Sequence, residues 1–143
     1  MDTKQYLNQI SRLDLMIKNK ISELNNLREM IYGLSAVSNE ERVQTSPNFD
    51  KIGTAVSKLD TLERDVDSLV DEFVDKRTKI INQIDSMENE CSYNVLFSRY
   101  VQKKTFEKIS TEMNYSFKQT MRIHGKALKE FEEKYGKEYL ETE

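Results

Sequence analysis

The stretch Ser116 to Phe131, "SFKQTMRIHGKALKEF", sets Lys118, Arg122, Lys126 and Lys129 three or four residues apart. At about 100° per residue these four cations share an arc of roughly 80° on one side of a helix. Thr120, Ile123, Ala127 and Phe131 fall on the opposite side. A helix with one face for a core and the other for anions has the chemistry of a major-groove reader. Residues near its N-terminus reach base edges, and cations farther along neutralise phosphates.

The candidate base contacts are Phe117, Lys118, Gln119, Met121 and Arg122. Arg122 can make a bidentate contact to guanine, Gln119 to adenine, and Lys118 to guanine or phosphate. Phe117 and Met121 flank the basic arc, where they can meet a thymine methyl or pack against the long helical hairpin. The candidate phosphate contacts are Lys103, Lys104, Thr105, Ser116, Lys126 and Lys129, which set orientation without reading sequence. Gly125, on the basic side, costs about 1 kcal/mol of helix stability and would allow a backbone to approach DNA.

Local signals supply the elements that position this helix. Thr105 is a good N-cap for "FEKISTEM", whose inner face is Phe106, Ile109 and Met113. Asn114 follows where the chain must turn sharply, and Asn enters the left-handed region more readily than most residues. Ser116, with Gln119 three residues on, can cap the next helix in a capping box. If Gln119 folds back into that box, it cannot also read a base. A short helix, a tight turn and a capped longer helix make the helix-turn-helix layout.

Charge is distributed to match. Ser98 to Lys129 holds eight basic residues against Glu107 and Glu112, so the formal −3 of the whole chain leaves −9 for the remainder. An acidic body with one basic segment suits an anion-binding module.

Upstream, Ile10, Ile17, Leu24 and Ile31 recur every seven residues, with Leu13, Leu27 and Leu34 at the second heptad position and Lys20 interrupting it. The spacing predicts a helix over 3–34, about 48 Å long at 1.5 Å per residue. A polar stretch with the only proline, Ser35 to Asp50, reads as a connection. A second stripe follows over 51–87: Ile52, Leu59, Val66, Phe73, Ile80 and Met87, with Leu62 and Leu69 between. Two matching stripes predict an antiparallel, coiled-coil-like hairpin. Off-seam Leu15, Met16, Ile21, Val56, Val70, Val74 and Ile81 widen its apolar face, which calls for cover by the C-terminal part or by a second copy.

The expected fold class is therefore all-α, with a long N-terminal helical hairpin (1–87), a helix-turn-helix domain (88–137) and an acidic tail (138–143). The segment Met1 to Leu15 lacks the pattern of a signal peptide, and no run is apolar enough for a membrane span, so a cytoplasmic protein without a membrane partner is expected. Cys91 is a packing residue on this reading, and no Cys/His cluster has zinc spacing. His124, the only histidine, lies beside the core face of its helix without a nucleophile partner. Neither an enzyme nor a cofactor is expected.

The residues "VLFSRYVQKKTFEKISTEMNYSFKQTMRIHGKALKEF" resemble the promoter-reading fourth region of bacterial sigma factors, where an Arg-Tyr helix end precedes the helix-turn-helix and an Ala-Leu pair closes it. They are more similar still to small phage and prophage regulators of Gram-positive bacteria, the late-gene activators of the RinA and autolysin-regulator types. The run "RIHGKAL", Arg122 to Leu128, and the mid-chain "SPNFDKIGTAVSKLDTLE" carry that likeness. Asn114 stands where glycine is common in that family, Ser110 where alanine is, and Thr120 where a larger aliphatic residue is. The resemblance implies a regulator that binds double-stranded DNA, with a homodimer and host RNA polymerase as further expected partners. The alternative is a non-enzymatic interaction protein acting through the hairpin: a polymerase-docking factor or a mobile-element inhibitor or anti-repressor.

Overall fold

The computed structural model describes the backbone of residues 1–40 and 47–141, and the side chains of these apart from 34–40 and 47–49. All regular structure among them is helical: α1 (Thr3–Leu7), α2 (Gln9–Glu40), α3 (Pro47–Asp85), α4 (Glu90–Leu96), α5 (Phe106–Met113) and α6 (Phe117–Tyr135). A π-helical turn at Phe97–Val101 extends α4, and a 3-10 turn at Gly136–Glu138 follows α6.

The expected boundaries shift in two places. The predicted first helix is divided at Asn8 into α1 and α2, with Asp2 and Gln5 closing a capping box on α1. The predicted connection over 35–50 is shorter than its composition suggested, because α2 runs on to Glu40 and α3 begins at Pro47. Proline suits a first helical position, where its missing N–H leaves no bond unmade. The rest of that predicted connection, 41–46, lies outside the described residues.

Residues 1–13 and 73–143 form one compact unit, and 14–72 form another. This division differs from the expected boundary at residue 87, because both ends of the heptad stripes join the C-terminal helices. The core of the first unit is made of Tyr6, Leu7, Ile10, Ile80, Ile84, Leu96, Tyr100, Ala127, Phe131 and Tyr139. Tyr6 stacks on Tyr139 with ring centroids 4.3 Å apart, and its hydroxyl donates to Oε1 of Gln83 at 2.7 Å. Nε2 of Gln83 in turn donates to Glu138 at 3.0 Å, so the buried glutamine is satisfied at both ends.

The start of the expected acidic tail packs on the first unit. Tyr139 is buried and shares a hydrogen bond with Thr3 at 2.9 Å, while Glu138 pairs with Lys79 at 3.1 Å. The charge count of 138–143 concealed an aromatic anchor; residues 142 and 143 lie outside the described residues.

In the second unit, Leu24 is buried, while Ile17, Leu27, Ile31, Ile52, Leu59, Leu62, Val66 and Leu69 are half-buried. Arg28 of α2 pairs with Glu63 of α3 at 3.0 Å. A groove of about 620 Å³ lies between Lys20–Met30 and Thr54–Leu62, floored by Leu27 and Leu62. Leu15, Met16, Ile21, Met30, Tyr32, Val56 and Val70 are exposed.

Candidate nucleic-acid interface

The N-termini of α5 and α6 are built as their sequences require. Thr105 is extended (φ −70°, ψ 156°) and accepts a hydrogen bond from the Lys108 amide at 3.2 Å. Ser116 does the same for the Gln119 amide at 3.1 Å. Between them Asn114 takes the left-handed conformation, φ 57° and ψ 36°, and its amide reaches back to the last turn of α5. Only one half of the expected capping box forms at Ser116, so the Gln119 side chain stays exposed and the predicted conflict with base reading does not arise. The hydroxyls of Thr105 and Ser116 accept these capping bonds, and each keeps its own O–H as a donor for a phosphate oxygen.

Helix α6 divides sharply. Thr120, His124, Ala127 and Phe131 are buried, with relative exposures of 0 to 4%. Lys118, Gln119, Arg122, Gly125, Lys126 and Lys129 are exposed. The structure thus brings Lys118, Arg122, Lys126 and Lys129 onto one solvent-facing side. Lys126 lies 3.9 Å from Glu130, at the outer limit of an ion pair. Phe117 and Met121 lie on the flank of that face, 49% and 38% exposed. A Cβ added at Gly125 would meet nothing within 4 Å.

Ser110, buried at the crossing of α5 and α6, closes its hydroxyl onto the Phe106 carbonyl at 2.7 Å. Thr120 does likewise onto Ser116 at 3.0 Å, so each polar side chain at the close approach is satisfied within its own helix.

The second basic group precedes α5. Lys103 is exposed and holds φ 58°, an uncommon conformation for a residue with a side chain. Lys104 reaches Glu112 at 2.7 Å, and that hydrogen bond holds the Glu112 carboxyl below the usual carboxylate range. Lys104 was expected as a phosphate contact; it is an ion-paired one, and must share or exchange its partner to bind an anion.

Three residues absent from the predicted site tie this loop to α6. Arg99 donates from Nη1 to the Lys104 carbonyl at 3.0 Å, with its guanidinium 4.4 Å from the centroid of the Phe106 ring. Phe106 meets His124 edge-on at 4.8 Å, and His124 Nε2 shares a 2.8 Å hydrogen bond with the Tyr100 hydroxyl. Burial pushes the Tyr100 phenol up to about 12 and drives His124 down to about 4, helped there by the positive charges of Lys4 and Arg99. His124 is therefore a neutral packing residue at pH 7. In sequence, Arg99 registers as a positive charge and as part of the Arg-Tyr helix end; its hydrogen bond to the loop needs the backbone path of residues 101–105.

Among the described residues, no group of three His, Cys, Asp or Glu side chains could hold a metal ion, and no helix is long and apolar enough to cross a membrane. Cys91 is half-buried with Sγ 3.8 Å from the Tyr115 hydroxyl. Compared with known proteins, the chain matches no family model, no curated protein and no solved structure.

Proposed function

We propose that the chain is a sequence-specific, non-enzymatic regulator that binds double-stranded DNA, of the kind that controls phage or prophage genes. On this reading α5, the Asn114 turn and α6 are a sigma-like helix-turn-helix, with α6 in the major groove. The observation that carries the reading is the two-sided character of α6: a fully buried face locked to Tyr100 and Phe106, and an exposed face bearing Lys118, Arg122, Lys126 and Lys129. A merely solvated helix needs cations and acids interspersed; here the first three turns carry no acid at all. Asn114 and the Ser116 cap support it by fixing the angle at which α6 leaves α5.

Helices α2 and α3 form the expected hairpin in this proposal and join two copies into a homodimer, which would present two α6 helices to a two-fold operator. Phage origin rests on the resemblance alone, carried by residues 95–131 and by the mid-chain stretch 46–63.

The test is selection of bound fragments from the encoding genome's DNA at near-physiological salt, with Arg122→Ala as control. Enrichment of one site, lost in the control, is the expected result. A specific observation favours a second reading: Leu15, Met30 and Tyr32, exposed by 59 to 83%, suit a protein partner such as RNA polymerase. That reading requires no DNA affinity even at low salt.

A further inference from the structure

We propose that Arg99 is a positioning residue of this interface: it sets the loop before α5 so that Lys103 and Lys104 meet phosphates while α6 lies in the groove. The inference rests on the DNA-binding reading given above and adds to it a residue that touches no base or phosphate itself.

The loop reverses direction in a few residues, and Lys103 turns it at φ 58° without the freedom of glycine. Such a conformation persists only where the surroundings over-determine it. They do so here from one side. The Gln102 amide donates to the Phe97 carbonyl at 3.1 Å, and the Lys104 amide to the Ser98 carbonyl at 3.0 Å. Arg99 supplies the third tie, from its guanidinium to the Lys104 carbonyl. Lys104 is thus held at both its N–H and its C=O by the π-helical turn, and Lys103 is the apex between fixed points.

An arginine is needed for this. Its flat cation rests on the Phe106 ring and still donates in its own plane, which an ammonium on a flexible stem cannot do. The same ring touches His124 on the buried side of α6. Loop cations and helix cations are therefore placed relative to one another through Arg99, Phe106 and His124. DNA presents phosphates at fixed spacing, so two groups of cations on different segments count together only if that relative placement holds.

The experiment measures affinity against salt, from about 50 to 200 mM, for a short duplex carrying the site that the full chain enriches. Each phosphate contact contributes about 0.9 to the slope. Arg99→Lys, which keeps the charge, is expected to lower the slope by about 2, with thermal stability measured alongside. Lys103→Ala alone should lower it by about 1, and should add almost nothing on the Arg99→Lys background.

An unchanged slope in Arg99→Lys, with or without a lower melting temperature, overturns the proposal: the residue is then a direct contact or a structural one. Full additivity with Lys103→Ala overturns it too. If Arg99→Lys does not fold, Phe106→Leu in the same cycle with Lys103→Ala carries the test. A wild-type chain without salt-dependent affinity removes the DNA reading itself, whereas a normal wild-type slope with an unmoved variant removes only the role of Arg99.

Discussion

The same seven-residue repeat meets two environments in this molecule. At its two ends, in the first unit, Ile10 and Ile80 are each 1% exposed, because Leu96 of α4 and Ala127 and Phe131 of α6 share one core with them. In the second unit the repeat continues, interrupted at Lys20, yet among the described residues only Leu24 is buried and the other apolar repeat positions stay half-exposed. Periodicity specifies which face of a helix is apolar; how far that face leaves water depends on how many elements cover it.

The largest expected effect is in the covered region. Phe131→Ala removes a ring with no exposure, packed on Tyr6, Tyr135 and Tyr139, and should cost about 3–5 kcal/mol in denaturant unfolding. A loss near 1 kcal/mol would erase the contrast between the units.

Acid should reach the same region next. His124 titrates near 4 in the folded chain against about 6.5 when unfolded, so its neutral form is favoured by folding. The stability tied to it is complete above pH 6.5 and is lost as pH falls towards 4, on the order of 3 kcal/mol across that window. His124→Gln should flatten the stability profile between those values. A profile identical to that of the wild type would mean the imidazole is not the group that responds.

Leu62→Ala, on the half-buried seam of the second unit, should cost only about 1–2 kcal/mol. Hydrogen exchange sharpens the point: amides of 14–33 and 50–72 should open at lower free energy than those of α4 and α6. Equal protection would show that the second unit is covered in solution by a partner, a second copy included. Gly125→Ala, at an open position on α6, should stabilise the first unit by about 1 kcal/mol, read as a higher denaturation midpoint. Its effect on DNA affinity separates a backbone seated against the duplex, where the methyl interferes, from one that only carries side chains there.

How much of this was legible follows the same division. The caps at Thr105 and Ser116, the left-handed Asn114 and the two faces of α6 are local, set by residues within four positions of one another, and they could be read from the sequence. The cover over Leu7 and Ile80 was not, since a heptad stripe marks an apolar face and is silent on its partner. Tyr139 was hidden for a different reason: among glutamates and a lysine its segment reads as solvated, and contacts distant in sequence, with Thr3 and Tyr6 among them, make it core. The Arg-Tyr pair at 99–100 stood out in the sequence, but not what Arg99 holds, because its acceptor is a carbonyl placed by a loop. The candidate interface was thus found as a set of cations, without the scaffold that relates them.

The pairing of Thr3 with Tyr139 spans 136 positions of sequence. During synthesis, Tyr6, Leu7 and Ile10 leave the ribosome long before the residues around 131–139 and must wait for that part of their cover. Contacts of such high order close slowly, since the loop entropy is lost before the contact forms. The chain is therefore exposed to premature association, and to proteolysis around Tyr6 to Ile10, while the residues between the two partners are being made.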